Sequence, residues 1–175
     1  MEHYHSAMQH SITASAAAIP PPRLITDTRE KSPLAFAHLE SVRGTLHTGD
    51  YSIQNLTSRF AVERKSVADL VSSLTRARQR FIRELERMRG MDFARLLIVG
   101  RPCDLAAHLA RRAVNAASIL GSLEAVNTRL VPVVWEPTPQ RAALAVERWA
   151  CYFYAGAAKA WGTVRIPAWC RENAI

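Results

Sequence analysis

From Arg23 onward, short apolar runs alternate with stretches of helical periodicity. The pattern predicts strands at Arg23–Thr26, Leu46–Ile53, Phe60–Lys65, Arg95–Val99 and Leu130–Trp135. Helices are predicted at Pro33–Val42, from Ser66 to Met88, at Asp104–Asn127 with a break near Asn115–Ala117, and at Gln140–Ala158. Strands separated by helices imply parallel crossovers, whereas the short link before Phe60 implies an antiparallel hairpin, so the expected class is α/β with a mixed sheet. Within the long helix Leu70, Leu74, Ala77, Phe81, Leu85 and Met88 fall on one stripe, with Arg76, Arg80, Arg83 and Arg87 on the other side. Residues 1–22 carry no such pattern. They are rich in His, Ser and Ala and close in Pro20-Pro21-Pro22, which reads as a flexible arm ahead of a domain over 23–175.

At 175 residues a chain buries roughly 70% of its unfolded surface, enough to hold a core without disulfides or a structural metal. The three cysteines are widely spaced, with no CxxC pair, so neither a disulfide framework nor a zinc site is expected. No apolar stretch approaches the roughly 18 residues of a membrane span, and no basic n-region opens the chain, so a cytoplasmic protein without a membrane partner is expected. The net charge of +8 points to a polyanionic partner. Arg59–Arg101 holds eleven basic residues against five acids, which concentrates that charge.

The chemistry-bearing segment is Gly49-Asp50-Tyr51-Ser52-Ile53, a six-residue link, and Phe60-Ala61-Val62-Glu63-Arg64-Lys65. A symmetric link pairs Ile53 with Phe60 and so sets Asp50 opposite Glu63. Tyr51, Ile53, Phe60 and Val62 then share one apolar face, and Asp50, Ser52, Ala61, Glu63 and Lys65 the other. Directly opposed like charges are destabilising, and a divalent cation would compensate them. Hard oxygen ligands suit Mg²⁺ or Mn²⁺. Lys65, on the same face, could orient or deprotonate a water and stabilise charge on a phosphate. Read blandly, Asp50 is a turn acid, and Glu63 and Lys65 are a surface ion pair. Asp69 is open to a similar reading, because Ser66-x-x-Asp69 has the form of a helix cap. Asp27 closes a strand where α/β sites tend to lie.

Gly49-Asp50, twelve residues, Glu63-Arg64-Lys65, three residues and Asp69 resemble the GD…ERKxxxD signature of the XPF/MUS family of structure-specific endonucleases, within the restriction-endonuclease-like PD-(D/E)xK superfamily. Asp27-Thr28-Arg29-Glu30, Ser66–Leu70 and Arg78–Met88 extend the resemblance, which covers about Arg23 to Tyr154. It implies a restriction-endonuclease-like α/β/α sandwich and metal-assisted phosphodiester hydrolysis. By that resemblance Asp27, Asp50, Glu63, Arg64, Lys65 and Asp69 would form the catalytic set, with Asp27, Asp50 and Glu63 holding the metal and Lys65 at the attacking water. Arg64, on the opposite face, would pair with Asp69 or Glu30 and brace the site. Arg78 becomes the leading candidate for a DNA phosphate contact, with Arg80, Arg83 and Arg87 beside it. The sequence departs from the family at Arg76-Ala77-Arg78, where a glycine usually precedes the arginine, and at Gly100, where an acid often stands.

The chain leaves no length for the helix-hairpin-helix repeats of many members. The expected protein is therefore a stand-alone nuclease of a bacterium or phage-infected cell, acting in DNA repair or recombination, with a partner protein supplying substrate specificity. Trp149 and Phe153, one turn apart after the last strand, would anchor a homodimer or pack in the core. His3, His5 and His10 carry no assigned role. The competing reading is a catalytically silent nuclease-fold scaffold that binds nucleic acid beside a partner. The intact Asp50, Glu63 and Lys65 favour the enzyme.

Overall fold

The computed structural model describes residues 20–112, 114–158 and 169–170, so the three arm histidines and most of the expected arm lie outside the described residues. Six strands, β1 (Leu24–Asp27), β2 (Ser41–Gly44), β3 (Tyr51–Ile53), β4 (Phe60–Ser66), β5 (Phe93–Val99) and β6 (Val133–Glu136), form one mixed sheet in the order β2-β1-β3-β4-β5-β6. β1 runs parallel to β2 and antiparallel to β3, β3 is antiparallel to β4, and β4, β5 and β6 are parallel. The predicted crossovers and hairpin are both present. Tyr51 faces Val62, the register that the symmetric link requires.

Alternation along the central strands feeds two cores. Ala61, Leu96 and Ile98 point to one side, under α1 (Val67–Thr75), α2 (Arg78–Arg89), α3 (Pro102–Ala110) and α4 (Ala116–Arg129). Tyr51, Ile53, Phe60, Val62 and Leu97 point to the other, under α5 (Pro139–Ala158). β4 and β5 are thus covered on both faces, which is why β5 reads as a nearly continuous apolar run. On the α5 side Phe60 stacks on Phe93 at 4.6 Å, and Phe153 and Trp149 pack against these rings. Trp149 and Phe153 are therefore used inside the chain. No helix of the described residues is long and apolar enough to cross a membrane.

Four expectations need correction. The helix expected at Pro33–Val42 is absent: residues 33–40 form an irregular loop and Ser41–Gly44 is an edge strand. Long-range bonds hold that loop open. The buried Glu147 carboxylate on α5, 1% exposed, accepts from the amides of His38 at 2.6 Å and Leu39 at 2.9 Å, and the Tyr51 hydroxyl accepts from the Leu34 amide at 2.9 Å. The strand expected at Leu46–Ile53 pairs only over Tyr51–Ile53. Ahead of it Gly49 turns the chain at φ 77°, where an added Cβ would meet the Val62 carbonyl oxygen at 3.2 Å. The helix predicted from Ser66 to Met88 is two helices, broken at Arg76-Ala77. There the Thr75 hydroxyl donates to the carbonyls of Val71 and Ser72, and the amides of Arg76 and Ala77 both turn back to the Ser72 carbonyl. The strand expected at Leu130–Trp135 is Val133–Glu136, because α4 runs on to Arg129.

Candidate active site

The carboxyl ends of β1 and β4 meet the start of β3, and that antiparallel arrangement brings Asp27, Asp50 and Glu63 to one end of the sheet. Backbone bonds fix the junction: the Asp27 amide donates to the Asp50 carbonyl and the Asp50 amide to the Val62 carbonyl, both at 2.8 Å. A cavity of about 750 Å³ opens over it, lined by Asp27, Asp50, Glu63, Arg64, Lys65 and Asp69 among others.

Glu63 is 2% exposed. Its Oε1 accepts from the Lys65 ammonium, while its Oε2 is buried with no hydrogen-bond partner. Asp50 Oδ2 accepts from the Arg64 amide at 2.8 Å. Burial, followed by the facing Asp50, pushes the Glu63 carboxyl up to about 8. Burial likewise lifts Asp50 to about 6 against the pull of Lys65. Two like charges in a poorly hydrated place resist ionising together. Burial works against the Lys65 charge too, but Glu63 and Asp50 outweigh it and hold its pKa above the ordinary value. The Lys65 Nζ also lies 5.6 Å from the centre of the Phe81 ring. Lys65 is therefore a fixed cation.

Asp27 is placed differently. It is 1% exposed, and both its oxygens are engaged: Oδ1 by the Arg29 amide and Nε, Oδ2 by Arg29 Nη2 and the Leu46 amide. Burial alone would raise its pKa, but the Arg29 and Leu46 bonds outweigh it and leave it lowered. These bonds tie the segment after β2 to the end of β1, and Asp27 lines the same cavity as Asp50 and Glu63. Arg64 makes neither expected brace with Asp69 or Glu30: its side-chain Nε is buried without a partner, and its amide serves Asp50. Ser66 caps α1, its Oγ accepting from the Asp69 amide at 3.1 Å and its hydroxyl donating to the Asp69 carboxylate at 2.7 Å. Asp69 itself stands in the lining of the cavity.

The four arginines grouped by sequence divide across α2. Arg80 and Arg87 line the cavity with Glu84 between them, whereas Arg78 and Arg83 face a separate groove toward α4. Sequence reasoning passed over Arg29 and Glu84. The i, i+4, i+7 spacing of Arg80, Glu84 and Arg87 marks one helix face and was the available signal for Glu84. Arg29 stands in the quoted Asp27-Thr28-Arg29-Glu30, and only contact geometry shows its hold on Asp27.

The fit to a divalent cation turns on Glu63. A buried carboxylate oxygen without a partner, facing a second raised carboxylate, is a donor set short of a cation. Among the described residues no three His, Cys, Asp or Glu side chains stand close enough together to hold a metal. Asp50 and Glu63 would supply two oxygen ligands, and waters with a substrate phosphate oxygen the rest, the pattern of Mg²⁺ sites.

No match was found among the curated proteins. Among solved structures, the chain is similar to XPF from Aeropyrum pernix, with TM-score 0.61 at 20% identity over 75% of this chain and 61% of that one. It is also similar to XPF from Aeropyrum pernix in complex with DNA, with TM-score 0.59 at 20% identity over 76% and 65%. The chain thus spans less than two thirds of those structures, and at this identity the likeness speaks for the fold. Residues 25–145, which hold the whole junction of β1, β3 and β4 and both helices beside it, match the ERCC4 domain, and the chain belongs to that nuclease-domain family.

Proposed function

We propose that the protein is a divalent-metal-dependent DNA endonuclease hydrolysing phosphodiester bonds, with Asp50 and Glu63 as the metal-holding pair. The observation that carries this reading is the partnerless Glu63 Oε2, buried across the hairpin from Asp50 and beside Lys65. Bound there, Mg²⁺ or Mn²⁺ would supply Lewis-acid stabilisation of charge on the phosphoryl oxygens and a more acidic water. The chain's own groups do the rest. Lys65, held protonated, offers its charge to the phosphate and orients a water rather than deprotonating it. The Arg64 amide fixes the Asp50 carboxylate, while Asp27 and Arg29 hold the Leu46 turn that leads into Gly49. Arg80 and Arg87 would take neighbouring backbone phosphates without regard to sequence. The similar structure solved with DNA supports that substrate class. Branched or flap DNA is the proposed preference.

The test is cleavage of labelled duplex, flap, fork and four-way-junction DNA at low salt with Mg²⁺ or Mn²⁺, in wild type, Asp50→Ala and Lys65→Ala. Metal-dependent cutting lost in both variants supports the enzyme. DNA binding alike in all three proteins with no cutting anywhere would replace it with the silent scaffold.

A further inference from the structure

The groove on the far side of α2 takes no part in that chemistry. It is a cavity of about 580 Å³ between α2 and α4. Its floor is apolar, built from Ile82, Val126 and Leu130, and its rim carries the guanidinium groups of Arg78, Arg83 and Arg129 against the single carboxylate of Glu86. Arg78 is held in place: its Nη1 donates to the Ser122 hydroxyl at 2.7 Å, and that hydroxyl donates to the Ser118 carbonyl at 2.7 Å. The Arg78 fork is thereby fixed across the two helices with donors left over. Arg83 and Arg129 are exposed and make no ion pair among the described residues.

We propose that this groove is a docking site for an acidic, amphipathic segment of a partner protein, with its carboxylates on the arginine rim and its apolar anchors on the floor. Charge complementarity selects an anionic occupant, and the floor decides which kind. A phosphodiester strand gains from the rim but nothing from Ile82, Val126 and Leu130, and no aromatic ring lines the groove on which a base would stack. A helical segment with apolar residues at i, i+3 or i+4, and i+7 uses both surfaces at once. Planar guanidinium groups suit carboxylates bidentately, which adds register to attraction. The inference stands apart from the nuclease reading, since α2 separates the groove from the cavity at Asp50 and Glu63.

The experiment is fluorescence anisotropy on the full chain with a labelled acidic peptide of about a dozen residues bearing leucines at i, i+3 and i+7. An all-glutamate peptide of equal charge and a labelled DNA duplex run beside it. The leucine-bearing peptide is expected to bind about tenfold tighter than the all-glutamate one, and to weaken about tenfold in Arg129→Glu. Ala125→Trp, which fills the groove without changing its charge, should weaken it as well, with the thermal midpoint of both variants unchanged. Arg129 is on the exposed rim, so misfolding of Ala125→Trp leaves the test standing. Equal affinity for the two peptides, or peptide binding indifferent to Arg129→Glu, overturns the proposal. Loss of duplex binding in Arg129→Glu with no peptide binding assigns the groove to nucleic acid and overturns it too.

Discussion

In the proposed site, Asp50 and Glu63 would set local stability against chemistry. Each raised carboxyl marks a charge that the apo fold would rather not carry. Asp50→Asn keeps the oxygen that receives the Arg64 amide and removes the repulsion. It should raise the thermal midpoint of the metal-free protein by about 2–4 °C for each kcal/mol relieved, while cleavage falls by at least about a hundredfold. Calorimetry and a cutting assay on the same preparation read both. The pH dependence follows with a definite sign. An unfolded Glu63 loses its proton near 4.5, whereas the folded one holds it to about 8. Over that window the folded state carries the extra proton, so the Glu63 contribution to apo stability is fully present below 4.5 and is lost as pH rises to about 8. Because a divalent cation competes with that proton, Mn²⁺ should raise the thermal midpoint more at pH 8 than at pH 5. A metal-induced shift equal at both values would contradict the assignment.

Among the elements, the β3–β4 hairpin was legible because its period of two and its symmetric link leave one register that buries Tyr51, Ile53, Phe60 and Val62 together. The loop before β2 was not. Leu34 and Leu39 are both buried, but what holds their amides is the Tyr51 hydroxyl for Leu34 and, for Leu39, the Glu147 carboxylate more than a hundred residues away, and no local pattern encodes either. Glu147→Ala removes the acceptor of two amide bonds and should cost about 2 kcal/mol or more, with faster hydrogen exchange at the His38 and Leu39 amides. The stripe from Leu70 to Met88 marks a buried face, with Leu74 and Phe81 buried on either side of the bend, and so its periodicity carries no sign of the bend. That bend separates α1 from α2, whose Arg80 and Arg87 line the cavity.

Across the whole molecule, the basic excess that sequence placed on one helix is shared between two surfaces. Only part of it stands at the cavity. Binding of duplex DNA should follow a log–log salt slope of about −0.9 per phosphate neutralised, and Arg80→Ala and Arg87→Ala should each flatten it by about one unit. Composition points to the sign of the proposed partner, and the acid pair in the hairpin to the proposed place. The occupancy of Asp27 by Arg29 and the idle guanidinium of Arg64 needed the fold, because each depends on where a side chain ends rather than on where its residue stands. The sheet order also has a bearing on endurance. β3 and β4 are the two innermost strands, with pairing partners on both edges. A centre built there has no peripheral segment that can fray and take it along. Heat or denaturant should therefore abolish metal uptake and backbone circular dichroism along one superimposable curve, as a single cooperative failure.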